Sequence, residues 1–188
     1  MSDTQQKQYP EFSPETQILN LITNLGDDDG LVRQRARLQL EHFGMESIPA
    51  LLDALQSQNV RIRWEVVKAL GELRIPETSP ALTEMLMDED TGVRWAAMEV
   101  LIRMGRAALH SVLDSFIKNF DSIWMREGVR HILRVLNDRH KLNDREIILF
   151  EELEKQTIPG FESGWNSRQV WAAEEALEAL DRDAVQVR

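Results

Sequence analysis

The sequence predicts an all-α fold, a right-handed α-solenoid of about five stacked helical hairpins forming an α-α superhelix. Three observations predict it. A motif returns at roughly 30-residue spacing, Ile62-Arg63-Trp64 coming back as Val93-Arg94-Trp95. Apolar residues inside each copy keep the helical period, and a capping residue stands in front of each copy. No stretch alternates apolar and polar residues over a strand's length, so no strands are expected.

The copies align on Val32, Ile62, Val93 and Met125 as anchors, each followed by Arg33, Arg63, Arg94 or Arg126. Four residues past the anchors stand Ala36, Val66, Ala97 and Val129, and eight past stand Leu40, Leu70, Leu101 and Leu133. Three before them stand Asp29, Asn59, Asp90 and Ser122, whose side chains suit the unpaired amides of a helix's first turn. A weaker fifth copy starts at Gln169, with Asn166 as cap, Val170 in place of the Arg, and Ala173, Ala176, Leu177 and Leu180 inside. Trp165 is expected to close over Val170 as a hydrophobic staple.

Each of these helices is preceded by another. The first opens at Ser13-Pro14-Glu15, with Pro suited to the first helical position and Ile18, Leu21, Ile22 and Leu25 as its stripe. The others cover Ile48–Leu55, Pro80–Met87, Ala107–Phe120 and Asp144–Lys155. Turns are expected at Gly26 to Gly30, Gly44, Pro76, Gly92, Gly105 and Pro159-Gly160. Residues 13–181 then form a single repeat domain, with a flexible tail over 1–12 and a polar tail over 182–188.

The composition narrows the function. A 43 % hydrophobic fraction suffices for a core, and the absence of Cys excludes disulfides, thiolate metal sites and Cys nucleophiles. A formal net charge of −10 opposes general nucleic-acid binding, so no nucleic acid is expected as partner. The opening MSDTQQKQYPEFSPETQ lacks the charged and apolar regions of a signal peptide, and no apolar run nears the ~18 residues of a membrane span. The expected location is cytoplasmic, with no membrane partner.

Arg63-Trp64-Glu65-Val66-Val67-Lys68-Ala69-Leu70-Gly71-Glu72-Leu73, followed by Ile75-Pro76-Glu77 and Ser79-Pro80-Ala81-Leu82, resembles the short bacterial HEAT repeat, also called the phycobilisome-lyase HEAT-like repeat. Val32–Gly44 and Val93–Gly105 are similar to it as well. The resemblance covers roughly residues 14–181 and implies the HEAT-like (armadillo-like) solenoid. The functions it implies range over adaptors, scaffolds, chromophore lyases and a few nucleic-acid enzymes. It also implies that Arg33, Arg63, Arg94 and Arg126 form a structural ladder against acidic inter-repeat loops, to which Asp29 and Asp90 belong.

At about 100° per residue, the position two past each anchor lies opposite the buried stripe. It holds Gln34, Trp64, Trp95, Glu127 and Trp171. Trp64 and Trp95 are expected on the free face, normally the concave one in such solenoids, with Val67, Met98 and Ile102 as an apolar floor. Arg37 borders this patch on one side, Arg130 and Arg134 on the other, while Gly71 leaves room for a close backbone approach. Aromatic anchors rimmed by Arg mark a site for another protein or a peptide segment, in the manner of an adaptor or scaffold. A homodimer through the tryptophan face fits the same pattern, and the competing reading has these indoles packing on one another and on Met98. Trp124, one before its anchor, is expected to pack on a neighbouring helix.

Catalytic apparatus is not identifiable. His42, His110, His131 and His140 show no ligand spacing, and the acidic turns at Asp27-Asp28-Asp29 and Asp88-Glu89-Asp90 lack a calcium loop's first ligand, so both read as helix caps. No Walker loop, dinucleotide fingerprint or Gly-x-Ser-x-Gly elbow occurs, and no cofactor or metal is expected. The resemblance leaves two alternatives. One is a bilin-lyase-like or other tetrapyrrole-binding role, with the pigment stacked on Trp64 and Trp95. The other is a HEAT-like DNA glycosylase using Trp95 and Glu99, against which the acidic charge counts.

Overall fold

The computed structural model describes residues 13–155 and 167–186. Ten α-helices stand among them: α1 (Pro14–Asn24), α2 (Gly30–Phe43), α3 (Ile48–Ala54), α4 (Val60–Leu73), α5 (Ser79–Glu84), α6 (Thr91–Met104), α7 (Arg106–Lys118), α8 (Ile123–Asp138), α9 (Asp144–Glu154) and α10 (Ser167–Gln186). They follow one another as the predicted hairpins, an all-α HEAT-like solenoid. No helix among the described residues is long and apolar enough to cross a membrane. The tail expected over 1–12 and the staple expected of Trp165 lie outside the described residues. The helical part of the fifth copy reaches Gln186, beyond the point where a tail was expected.

The caps form where the register places them. Asp29 accepts from Leu31 N at 2.8 Å, Asn59 from Arg61 N at 3.0 Å, Asp90 from Val93 N at 3.0 Å and Ser122 from Met125 N at 3.3 Å. Asp27 and Asp88 each hold the amide two residues on, which turns both acidic loops into the helix that follows. Gly44 and Gly105 end α2 and α6 at φ of 57° and 60°, a left-handed backbone that a side chain would strain.

The arginine ladder reaches the loops that the resemblance implies, and backbone carbonyls are among its partners there. Arg33 Nη1 donates to Asp27 O and Asp28 O at 2.8 and 3.0 Å, and Arg94 Nη1 to Asp88 O and Glu89 O at 2.7 and 3.0 Å. Arg126 reaches Phe120 O and Asp121 O at 2.7 and 3.0 Å, and the buried Arg63 reaches Ser57 O at 2.8 Å. Each guanidinium thus grips loop carbonyls five or six residues upstream, while the aspartates cap helices. A fixed fork of donors matches adjacent carbonyls in a way an ammonium does not.

The chain divides into two compact units, Met1–Ala69 and Leu70–Arg188, with the division falling inside α4. In the first, α1 packs on α2 and on α3, burying Ile18, Leu21, Leu25, Leu40, Leu51 and Leu55. Glu65 is buried, and Arg33, Arg37 and Lys68 surround its carboxylate.

In the second unit α5 packs on α7 and α7 on α10, while α6 packs on α8 and α8 on α9. Regular continuation would set α9 beside α7 and α10 beside α8. The last hairpin enters with its helices exchanged. Ala172, Ala173 and Ala176 are buried on α10, and their small side chains let it approach both α9 and α7. His110 on α7 lies 3.2 Å from Asp181 on α10, across the contact that the exchange creates, while Arg106 on α7 still reaches Glu146 on α9 at 2.9 Å. Trp171 is therefore exposed on the layer of α7, not on the layer of Trp95.

Candidate functional site

α6 and α8 run side by side, and a groove of about 340 Å³ opens along them. Its aromatic walls are Trp95, 52 % exposed, and Trp124, 44 % exposed, with Met98 half-buried between helices. Leu86 supplies the floor beneath Gly128, where an added Cβ would come to 3.3 Å of a leucine methyl. The ring of His131 lies 5.3 Å from that of Trp95, tilted by 45°. The Arg94 guanidinium stands 4.7 Å over the Trp124 ring. One Arg therefore serves twice, holding the loop carbonyls with its tip and covering an indole with its plane.

The rim is cationic and already engaged. Arg134 Nη2 donates to Glu154 Oε1 at 2.6 Å, and Arg130 Nη1 stands 3.7 Å from the same oxygen. Arg130 also meets Glu127 on its own helix. Glu154 ends α9, so the exchanged hairpin is what brings a carboxylate to this rim. An acidic group arriving from outside has to compete with it.

Of the residues singled out by the repeat pattern, Trp95, Met98, Arg130 and Arg134 come together in this groove. Ile102 does not share it: at 4 % exposure it belongs to the core. Trp64 and Val67 belong to the first unit. Val67 is wholly buried and leaves no surface for a floor. Trp64 is half-buried, with Lys68 Nζ 3.9 Å over its ring. Burial lowers the Lys68 pKa below the ordinary lysine value, the neighbouring Arg37 and Arg33 lower it too, and Glu65 at 3.5 Å opposes the shift. Arg37 points at Glu65 rather than outward. Gly71 gives room to a neighbouring helix, since a Cβ there would fall 2.5 Å from Val100 Cγ2 and 2.8 Å from Arg103 Nη2.

Three participants escape the pattern. Trp124 lines the groove although its position reads as packing, because the residue before one anchor meets the Arg after the previous one. His131 enters because the sixth residue past one anchor lies against the second past the previous anchor. That offset is a usable signal once adjacent second helices are known to pack in register. Glu154 had no such signal, since it depends on the exchange of α9 and α10.

A comparison with curated proteins returns no match. The pattern of HEAT repeats matches residues 18–123, more than half of the 188-residue chain, and the chain belongs to the HEAT repeat family.

Proposed function

We propose that this chain is a non-enzymatic scaffold that binds another protein through the α6–α8 groove. HEAT repeats are commonly protein-interaction scaffolds. The observation that carries the reading here is the pair of exposed indoles, Trp95 and Trp124, set beside Met98 in one groove under a rim of arginines. Half-exposed Trp rings with Arg neighbours are the side chains that most often dominate binding energy at protein interfaces. The partner segment places an apolar side chain between the indoles and an acidic group on Arg130 and Arg134, displacing Glu154.

The test is site-specific photocrosslinking. A benzoylphenylalanine at Trp124 should capture one defined protein in cells, identified by mass spectrometry. Purified, that protein should bind the wild type and lose about ten-fold or more of its affinity to Trp95→Ala and to Arg134→Glu. Unchanged binding by folded forms of both variants overturns the proposal. Capture of a second copy of the chain, with dimerisation lost in the same variants, assigns the groove to self-association instead.

A further inference from the structure

The first unit carries a larger trough, about 700 Å³, between α1 and α3. Its origin is local. α3 is short and turns Ala50 and Ala54 toward α1, so small side chains leave the volume that Leu or Ile would fill. α1 supplies Ile22 and Leu19, the latter 54 % exposed although it is a large apolar residue on a packed helix. Leaving such a side chain in water forfeits hydrophobic stabilisation that a cover would recover.

The charges around this trough have one sign. Glu15, Glu46 and Asp53 line it, and among the described residues no Lys or Arg does. All three carboxylates are exposed, and none makes an ion pair among the described residues. Three nearby cations are engaged elsewhere: Arg33 and Arg37 on the buried Glu65, Arg61 on Asp28.

We infer that the α1–α3 trough is a second docking surface, for an amphipathic helix of a partner protein whose apolar stripe is flanked by Lys and Arg. The apolar stripe covers Leu19 and Ile22 at helical i, i+3, i+4 spacing, and the basic flanks meet Glu15, Glu46 and Asp53. Charge complementarity singles out this occupant. A second copy of the chain brings a formal charge of −10 toward an acidic rim. The leading residues 1–12 offer Lys7 as their one cation against Asp3 and Glu11. The preference is the reverse of the α6–α8 groove, whose rim is cationic.

The probe is a fluorescein-labelled Leu/Lys helix, LKKLLKLLKKLLKL, titrated against the full chain by fluorescence anisotropy, with the Leu/Glu counterpart LEELLELLEELLEL as control. The wild type should bind the Leu/Lys peptide and not the Leu/Glu one. Glu46→Lys/Asp53→Lys should weaken binding about ten-fold or more. Asp138→Lys/Glu151→Lys changes net charge equally on exposed positions of the second unit and should shift it by about two-fold at most. Leu19→Ser should weaken binding as well, and far-UV circular dichroism confirms that each variant is folded. Equal losses in the two charge-reversal pairs, equal binding of the two peptides, or undiminished binding by folded Leu19→Ser overturns the inference. So does binding that is absent in the wild type and gained in Tyr9→Ser/Phe12→Ser, since the occupant is then the chain's own leading segment. None of these variants touches the α6–α8 groove, so failure here is distinguishable from failure there.

Discussion

Glu154, the last residue of α9, gives one carboxylate oxygen to Arg134 at 2.6 Å and to Arg130 at 3.7 Å. The groove therefore carries its own acidic occupant at the rim. A probe that joins an aromatic body to an anionic group, 8-anilinonaphthalene-1-sulfonate, should compete for these guanidinia. Glu154→Gln should raise its affinity several-fold and Arg134→Glu should remove the groove's share of the fluorescence. Stability should change by less than about 1 kcal/mol in the first variant, since the pair is partly exposed and screened.

The ladder arginines act through loop carbonyls. Arg94→Ala should cost about 1–3 kcal/mol in urea unfolding, because Asp88 O and Glu89 O lose their donor. Arg94→Lys should recover only part of this, as one ammonium does not reproduce the fork. Arg35→Ala, at an exposed position of α2, should stay within about 0.5 kcal/mol of wild type.

Gly71 on α4 lies directly against Val100 on α6. Gly71→Ala should destabilise by about 1–3 kcal/mol despite the better helix propensity of Ala, since the new methyl overlaps a stiff branched side chain. Adding Val100→Ala should return part of the loss. A double-mutant cycle with no coupling would show that the overlap is relieved elsewhere.

Lys68 supplies a pH dependence with a definite sign. Burial lowers its folded-state pKa, so the folded chain holds this proton less tightly than the unfolded chain does. Stability tied to Lys68 is then full above the ordinary lysine value, about 10.4, and is lost as pH falls through the lowered folded one. Relative to Lys68→Met, the wild type should gain stability as pH rises through that window. NMR titration of ¹³C-methylated lysines should show Lys68 changing charge below the ordinary lysine value.

Rules that act over a few residues were legible in the sequence. The caps at Asp29, Asn59, Asp90 and Ser122 follow from side chains reaching amides two or three residues on, and all four form. The angular rule also located Trp95, Met98, Arg130 and Arg134 together. It failed at Val67 and Ile102, because an angle about a helix axis says nothing of how wide an arc the neighbours bury. It failed at Trp171 for a different reason. The layer that α10 joins depends on its alanine face and on its contacts with α7, such as Asp181 with His110, groups far apart in sequence. Nothing in a single repeat encodes such a choice.

The exchange of α9 and α10 also sets a limit on growth. Hairpins that each repeat the placement of the one before can be multiplied without end, since every new member finds the surface its predecessor found. Behind α10 and α9 that surface is gone: a further hairpin of the earlier kind would meet the two layers in the wrong order. Copies inserted among the earlier hairpins keep the stacking rule, whereas copies appended after α10 break it. The fifth hairpin thus differs from the earlier ones in the order of its two helices rather than in a capping sequence.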